Sequence, residues 1–417
     1  MNNFIGIIGD GIMGRGITQH LADQQVSVCL LGHHLEKIDK IKSINIQATT
    51  NEKIFLQSLP KQKIIFLFLP WSPRTITYIK KLSKKLQPKD IIVDFANAKY
   101  EESALLQKYL KKNEIDYIAC GISGGEQGAL RGTSLMASGN KIAYKKVEPI
   151  LNKLSDKDKS NNPTLGYFGS NTEGHLIKTL HNTIEYTLLD SIGSIILFLR
   201  KQGMQSKNIA ELFPKKHSYL SDLTIKVLET TKNNTPLWEL IDPTSESKGT
   251  GIWGVQNSID VYSPAMGSTG ALATRFASQN KKYQEMTYKT TTYTFNHLEK
   301  ILDQIFSLAY DEILDVCTSL KLNTKEILRV WENGCIIRWN KPIKNLKEIN
   351  ALRKLATDMI NNGHPCPAIL GLISYYDLKN SPTLHTNYIQ AMRDAFGAHT
   401  YKRIGKPGIF HSLWNQS

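Results

Sequence analysis

The spacing of apolar residues divides the chain into parts of different periodicity. Over roughly residues 1–172, apolar runs of strand length alternate with segments of helical periodicity, and the first part follows the order strand, glycine turn, helix, strand ("NFIGIIGDGIMGRGITQHLADQQVSVCLLGHH"). "KIIFLFLP" and "DIIVDFA" are two further runs of strand length. Strands that alternate with helices are typical of βαβ units around a parallel sheet, so the pattern predicts an N-terminal α/β domain over residues 1–172.

After "SNTEG" the periodicity becomes mostly long and helical, which predicts an all-α domain over roughly residues 173–380. A second change near "LKNSPTLHT" begins a C-terminal tail, residues 381–417, that starts helical and ends in coil interrupted by Gly and Pro. The longest apolar run, "SIGSIILFLR", is too short to span a bilayer, and the N-terminus lacks the features of a signal peptide. We therefore expect a cytoplasmic protein without a membrane partner.

Composition and charge change this picture little. The net charge of +15 suggests nucleic acid, but the lysines form clusters such as "KKLSKKLQPK" without interleaved aromatic residues. Such clusters favour a solvated surface, or steering of an anionic small substrate, so we expect no nucleic-acid partner. The five cysteines are scattered and form no C-x-x-C pair, so the sequence indicates neither a disulfide framework nor a metal site.

A glycine-rich turn directly follows the first predicted strand and opens the first predicted helix. Gly9, Gly11 and Gly14 form the pattern G-x-G-x-x-G. Glycine permits the tight turn, lets the backbone approach a pyrophosphate and lets the helix pack on the strand, while the helix N-terminus supplies N–H donors. The turn therefore predicts a Rossmann-like dinucleotide-binding domain, with Gly9, Gly11, Met13 and Gly14 at the cofactor.

The end of the second predicted strand bears on the choice of coenzyme. "VSVCLL" is followed by Gly32, His33 and His34. An NAD site usually places an acid here, bonded to the ribose hydroxyls, whereas an NADP site usually places a cation. No acid follows the strand, and His33, His34 and nearby Lys37 favour a 2′-phosphate. An ordinary exposed loop is the alternative interpretation.

A polar stripe marks the start of the helical part, in "GHLIKTLHNTIEY". At about 100° per residue, its five polar members lie within an arc of about 140°. One interpretation is the solvated face of a surface helix. The other is a buried catalytic face, because the helix continues into the apolar "TLLDSIGSIILFL" and a buried lysine near a carboxylate suits proton transfer. The members are Lys178, His181, Asn182, Glu185 and Tyr186.

With these motifs in place, the chain resembles the decarboxylating 6-phosphogluconate dehydrogenase family over nearly its whole length. "IIVDFANAKYEES" is similar to the family's block around an asparagine, "GISGGEQGALRGTSLMASG" to its serine-diglycine loop, and "GHLIKTLHNTIEY" to its catalytic helix. "ESKGTGIW", "ATRFAS", "WENGCIIR" and "QAMRDAFGAHTY" are similar to its later blocks.

The resemblance implies an activity and a role for each matching residue. The activity is oxidative decarboxylation of 6-phosphogluconate to ribulose 5-phosphate and CO2, with hydride transfer to NADP. Lys178 is implied to be first the base at the 3-hydroxyl and then the acid at the 3-keto group, and Glu185 the acid that protonates C1 of the enediol. The implied contacts to the carboxylate and hydroxyls are Asn97, which also adjoins the coenzyme, and Ser123, Gly124, Gly125, His181 and Asn182. The implied phosphate contacts are Tyr186, Lys248, Thr250, Arg275 and Arg393, and His399 comes from the tail of the other subunit of a homodimer.

Departures from the family pattern lie on the coenzyme side. Gly32-His33-His34 stands where the family usually has Asn-Arg-Thr, Phe95 and Ala96 replace two glycines, and Pro70-Trp71 replaces a small and basic stretch. We expect NADP as the coenzyme, with NAD possible. Two alternatives stay open: a divergent β-hydroxyacid dehydrogenase acting on another phosphorylated sugar acid, and a non-catalytic sugar-phosphate-binding descendant. Retention of both Lys178 and Glu185 speaks against the second.

Overall fold

The computed structural model describes residues 4–34, 44–215, 217–247, 249–279, 292–341 and 346–414. Lys37 and Lys248, which the sequence analysis placed at the coenzyme and at the phosphate, lie outside these residues. The chain divides into two compact units, Met1–Leu372 and Ile373–Ser417. The boundary expected near residue 172 falls inside the first unit and stays a prediction.

One eight-stranded sheet carries the predicted strands of the N-terminal part. Its spatial order is β3-β2-β1-β4-β5-β6-β7-β8, and every neighbouring pair is parallel except β6 and β7. The parallel-dominated sheet confirms the predicted α/β fold. The strands are β1 (Phe4–Ile8), β2 (Ser27–Leu31), β3 (Ile46–Thr49), β4 (Ile64–Leu67), β5 (Ile91–Asp94), β6 (Asp116–Ser123), β7 (Ser134–Gly139) and β8 (Leu165–Tyr167).

Helices cover both faces of this sheet, which explains why its strands are apolar on both sides. Ile7 and Val28 belong to the apolar core on one face, and Phe55 and Ile79 belong to the core on the other. Several helices begin at side-chain caps; Asn51, for example, accepts hydrogen bonds from two backbone N–H groups of the helix it starts. The helices are α1 (Ile12–Asp23), α2 (Glu52–Ser58), α3 (Pro73–Ser83), α4 (Tyr100–Lys112), α5 (Gly125–Arg131) and α6 (Lys141–Leu154).

The remainder of the described chain is mainly helical, as the long periodicity predicted. A short 3-10 helix, Leu237–Leu240, lies between the third and the fourth of the helices given below. The helices are α7 (Glu173–Lys201), α8 (Ser206–Leu212), α9 (Tyr219–Glu229), α10 (Thr250–Asp260), α11 (Met266–Ser278), α12 (Phe295–Ser319), α13 (Thr324–Val330), α14 (Asn350–Asn361), α15 (Pro367–Asn380) and α16 (Thr386–Gly397).

Two small hairpins depart from the all-helical expectation. β9 (Thr231–Lys232) and β10 (Thr235–Pro236) are joined by Asn233 and Asn234, whose φ values of 51° and 62° are left-handed. Asparagine tolerates that conformation, and two such residues in succession form the turn that suits a tight hairpin. The sequence analysis overlooked this turn. It also assigned coil to the chain end, where β11 (Tyr401–Arg403) pairs with β12 (Lys406–Phe410).

The second unit is organised around one buried carboxylate. Asp394 on α16 accepts hydrogen bonds from the N–H groups of Thr400 and Ser412 and from the Trp414 indole, and it lies 2.9 Å from the His411 ring. These bonds tie the hairpin to the helix and lower the pKa of Asp394 against the opposing effect of burial. Arg393, the neighbour of this carboxylate, is exposed.

Helix α7 is the central element of the first unit. It packs against β6 and β7 at its start and against α10, α11 and α12 further along. A Cβ atom at Gly174 would lie 2.2 Å from the carbonyl oxygen of Met136 and 2.5 Å from that of Ala119, so only glycine allows the helix to begin this close to the sheet. His175 fixes the same turn, because its ring lies 2.8 Å from Ser103 Oγ and 2.9 Å from the carbonyl oxygen of Asp94.

A buried carboxyl group joins α12 to the start of α11. Glu312 Oε1 accepts hydrogen bonds from the N–H groups of Met266 and Gly267, whereas its Oε2 is buried without a partner among the described residues. Burial raises the pKa of Glu312 to about 8, against the opposing effect of the two donors. The folded protein therefore holds a proton on Glu312 at pH values where the unfolded chain has lost it.

This proton makes stability depend on pH. The contribution of Glu312 to the free energy of unfolding is complete below its unfolded pKa of 4.5. This contribution falls as the pH rises and is lost above about pH 8. Glu312→Gln keeps an acceptor but cannot ionise. The free energy of unfolding of the variant, relative to that of wild type, should therefore rise between pH 6 and 8.5 by on the order of a few kcal/mol, and its relative melting temperature should rise with it. Thermal unfolding at several pH values checks this, with exposed Glu229→Gln as the control. A difference that is flat with pH would contradict it.

Candidate active site

A cavity of about 720 Å³ lies beside α7 in the first unit. Most of the residues predicted for substrate binding and catalysis meet there, although they come from separate strands, turns and helices. The predicted residues in its lining are Met13, Asn97, Ser123, Gly124, Gly125, Lys178, Asn182, Glu185, Tyr186, Thr250 and Arg275.

The polar stripe of α7 is buried. Lys178, His181, Asn182 and Tyr186 are all less than a tenth exposed, and the side chain of Glu185 is 23% exposed. The solvated-face interpretation is therefore wrong. Burying four polar side chains on one helix, with a fifth largely covered, costs free energy unless they are paired, so the arrangement indicates a site.

His181 joins the helix to the serine-diglycine loop. Its Nε2 lies 2.9 Å from Ser123 Oγ, which also accepts a hydrogen bond from the N–H of Ile336, and its Nδ1 lies 3.3 Å from Lys178 Nζ. Burial, and then the charge of Lys178, hold the pKa of His181 well below its ordinary value, so the imidazole is neutral. A neutral ring carries one N–H, and it can accept from protonated Lys178 at Nδ1 while Nε2 donates to Ser123.

Lys178 has the surroundings of a proton-transfer group. Burial lowers its pKa from the ordinary lysine value, and the negative charge of Glu185 opposes the shift. A cation that is neither fully solvated nor directly paired gives up its proton more readily, which is what a general base near neutral pH requires. Glu185, one helical turn beyond His181, places a carboxylate oxygen 3.9 Å from His181 Nδ1.

The serine-diglycine loop fits closely at the end of β6. Gly124 has a φ of 139°, and a Cβ atom there would lie 2.8 Å from the carbonyl oxygen of Gly334. Glycine at this position therefore lets the loop pass beside the segment that carries Ile336. On the other side of the cavity, Asn97 accepts a hydrogen bond of 3.4 Å from the Asn182 amide.

The far end of the cavity suits an anion. The guanidinium of Arg275 lies 3.9 Å above the ring of Tyr186, and the Tyr186 hydroxyl is 3.3 Å from Ser247 Oγ. Helix α10 begins at Thr250 after a left-handed Gly249 with φ of 92°, so its first N–H groups lie at this end. An arginine fork, a phenol and a helix N-terminus together provide donors for a phosphate group.

The glycine turn lines a second cavity, of about 610 Å³, together with the ends of β2 and β4. Gly9, with φ of 120°, and Gly11 face this cavity, and α1 begins directly after Gly11. Gly14 serves packing, because a Cβ atom there would lie 1.9 Å from the carbonyl oxygen of Gly9. A bare turn that leads into a helix N-terminus fits the pyrophosphate of a dinucleotide.

The adenosine end of this second cavity differs from the expectation. His33 lines it, and both His33 and His34 are exposed. The backbone N–H groups of both histidines donate to Asp10 Oδ2, at 2.9 Å and 2.8 Å. Residues 32–34 contain no acid, but the fold brings the carboxylate of Asp10 from the glycine turn to this end of the strand.

The departures on the coenzyme side produce an aromatic wall. Phe95 stacks on Phe68 with ring centroids 4.6 Å apart, and the Trp71 indole donates to Glu102. All three aromatic residues line the active-site cavity, together with Ala96 and Pro70. The lining also contains residues that were not among the predicted site residues, including Phe68, Leu69, Glu246 and Ile336. Phe68 directly follows β4, a predicted strand, and Glu246 and Ile336 lie in the blocks "ESKGTGIW" and "WENGCIIR", so the sequence held a signal for these three.

Three of the predicted residues are not placed by this geometry. Lys248 lies outside the described residues, and Arg393 and His399 belong to the second unit. Within the described part of the chain, no cluster of three or more histidine, cysteine or acidic residues could hold a metal ion, and no helix is long and apolar enough to cross a membrane.

Comparison with known proteins agrees with the geometry. Residues 4–166 match the NAD binding domain of 6-phosphogluconate dehydrogenase, and residues 174–349 and 341–414 match the 6-phosphogluconate dehydrogenase C-terminal domain. The decarboxylating 6-phosphogluconate dehydrogenases of Staphylococcus epidermidis and Staphylococcus aureus are each 31% identical, with 99% of both chains covered. The Plasmodium falciparum 6-phosphogluconate dehydrogenase, solved alone, with its cofactor NADP+ and with its substrate, is 25% identical with a TM-score of 0.86, covering 98% of this chain and 100% of that one.

Proposed function

Because the chain belongs to the 6-phosphogluconate dehydrogenase family, we propose that it oxidises and decarboxylates 6-phosphogluconate to ribulose 5-phosphate and CO2. The observation that carries the proposal is a buried Lys178 with a lowered pKa, in one cavity with Glu185 and the anion site at Arg275. The NADP+ complex of the Plasmodium falciparum relative supports NADP as the coenzyme.

The buried residues of α7 account for the proton transfers. Lys178, as the free amine, takes the proton of the substrate 3-hydroxyl, and NADP, when bound, supplies the hydride acceptor for C3. Protonated Lys178 then polarises the 3-keto oxygen, so that the bond to the carboxylate breaks and CO2 leaves. Glu185 returns a proton to C1 of the resulting enediol. A β-keto acid decarboxylates once its carbonyl is polarised, so these reaction steps need no metal.

The rest of the cavity holds the substrate. Ser123, the two following glycines and Asn182 surround the sugar acid near Lys178, and His181 fixes Ser123 and Lys178 relative to each other. Asn97 lies between this group and the coenzyme side. Tyr186, Thr250 and Arg275 bind the phosphate, and Lys248 and Arg393 add two further cations, as the family pattern implies.

The proposal also covers the oligomeric state, the pathway and the cellular compartment. Arg393 and His399 act in the site of a second copy of the chain, which makes the protein a homodimer. The reaction belongs to the pentose phosphate pathway in the cytoplasm. The family membership supports these statements.

Arg275→Gln should separate binding from chemistry. Its guanidinium is remote from Lys178 along the substrate and contributes binding that persists unchanged into the transition state, so KM for 6-phosphogluconate should rise about tenfold or more with a smaller change in kcat. Coenzyme reduction at a series of substrate concentrations measures both constants. Arg200→Gln, which breaks a surface ion pair with Glu239, is the control and should change neither constant.

A substrate comparison tests the proposed function itself. Wild type should reduce NADP with 6-phosphogluconate and only poorly with gluconate, which lacks the phosphate. Turnover that is faster with a different phosphorylated β-hydroxy acid would replace the proposal with a paralogous dehydrogenase. Binding of 6-phosphogluconate without turnover, with either NADP or NAD, would replace it with a binding protein.

A further inference from the structure

An acid occupies the part of the coenzyme cavity where sequence alone showed none. Asp10, between the first two glycines of the turn, is half-buried and lines the cavity with Gly32 and His33. Its carboxylate accepts hydrogen bonds from the backbone N–H groups of His33 and His34, which follow β2 and Gly32. These bonds lower the pKa of Asp10, although burial, the largest single effect, opposes them. The group is therefore a carboxylate at neutral pH.

Gly32 and Asp10 are matched in shape. A Cβ atom at position 32 would lie 2.7 Å from Asp10 Cβ and 2.9 Å from Asp10 Oδ2. Any other residue at position 32 would force the carboxylate to move. The absence of a side chain after β2 is therefore what lets an acid from the neighbouring turn take this place.

The carboxylate has two consequences for an adenosine ribose at this end of the cavity. It can accept a hydrogen bond from a free 2′-hydroxyl, as the acid of an NAD site does. It also repels a 2′-phosphate and already uses the two N–H groups that would otherwise donate to that phosphate.

Other charges around the cavity do not cancel this effect. Glu52 adds a second acid, engaged by Lys85. Arg74 and His33 also line the cavity and provide donors for a phosphate, so NADP is not excluded. Asp10 instead determines the difference in affinity between a coenzyme with a 2′-phosphate and one with a free 2′-hydroxyl.

We propose that Asp10 is a specificity-determining residue for the coenzyme. Its carboxylate favours the free 2′-hydroxyl of NAD and so reduces the affinity of this chain for NADP relative to its affinity for NAD. The inference rests on the proposed function for the identity of the coenzyme. It concerns coenzyme binding alone, so it can be tested without 6-phosphogluconate. A protein that binds the coenzymes but does not turn over 6-phosphogluconate would contradict the proposed function and leave this inference standing.

Calorimetric titration of the full-length protein with NADP, NAD and 2′,5′-ADP tests the proposal. Asp10→Asn removes the charge but keeps an acceptor for the N–H groups, and Asp10→Ser shortens the side chain as well. In both variants the ratio of the dissociation constants of NAD and NADP should rise at least about tenfold, which is about 1.4 kcal/mol. The affinity for 2′,5′-ADP should rise with it, because the repulsion of the 2′-phosphate is removed, whereas the affinity for NAD should fall, because its 2′-hydroxyl loses the carboxylate acceptor.

The control is Asp23→Asn, an exposed acid at the other end of α1 whose carboxylate accepts from Gln19. It should leave all three dissociation constants unchanged. An unchanged ratio in both Asp10 variants would overturn the proposal. So would parallel changes for NAD and NADP, or loss of binding of both, because Asp10 would then only hold the turn in shape.

Discussion

Lys178→Met is expected to lower kcat for 6-phosphogluconate oxidation by about a hundred- to ten-thousand-fold, the usual range for loss of a general acid–base group. Lys178 is 6% exposed and is the only lysine in the described lining of the active-site cavity. Methionine has a similar length and suits a buried position, so the fold should persist. The rate of coenzyme reduction under saturating substrate measures the effect.

The matched control for this variant lies on the same helix. Lys201→Met changes an exposed lysine at the C-terminal end of α7, and it should retain wild-type turnover. The wild-type profile should also lose activity as the pH falls through the lowered pKa of Lys178, because only the free amine accepts the hydroxyl proton. A Lys178→Met variant that stays within tenfold of wild-type turnover would contradict the assigned role.

Arg393→Ala is expected to lower kcat/KM about a hundredfold, because it removes a guanidinium from the proposed phosphate site. If that site belongs to the other subunit, a heterodimer of Arg393→Ala with Lys178→Met contains one site that lacks both residues and one that is intact. This heterodimer, purified through two different affinity tags, should therefore show about half the wild-type kcat/KM per dimer, whereas each homodimer is impaired about a hundredfold or more.

Arg403→Ala, on the hairpin of the same second unit, is the control for Arg393 and should keep wild-type activity as a homodimer. An inactive heterodimer would show that Arg393 and Lys178 serve the same copy of the chain. If sedimentation showed that the active protein is a monomer, a site shared between two copies of the chain would be contradicted.

Local patterns were sufficient to predict four strands of the sheet and the polar stripe of α7. The apolar runs before Gly9 and around Asp94 give β1 and β5, because strands buried on both faces need continuous apolar residues. The stripe from Lys178 to Tyr186 could be assigned to a site because its spacing places five polar groups on one face of a helix that is otherwise apolar.

Features that depend on distant segments could not be predicted in this way. Asp10 meets the end of β2 only after the strand and the turn have packed together, and residues 32–34 themselves contain no acid. Glu246 and Ile336 reach the cavity through loops whose paths follow from tertiary packing. The hairpin at Asn233 and Asn234 did have a local signal, but two strands of two residues each leave almost no alternation to detect.

The most direct test of the central claim joins oxidation to decarboxylation in a single reaction. Wild-type protein is incubated with NADP and 6-phosphogluconate labelled with ¹³C at the carboxylate carbon, and reduced coenzyme and labelled CO2 are both measured. The assigned chemistry predicts one labelled CO2 for each NADPH, with unlabelled ribulose 5-phosphate as the other product. Reduced coenzyme with the label retained in an acid, or no coenzyme reduction at all, would contradict it.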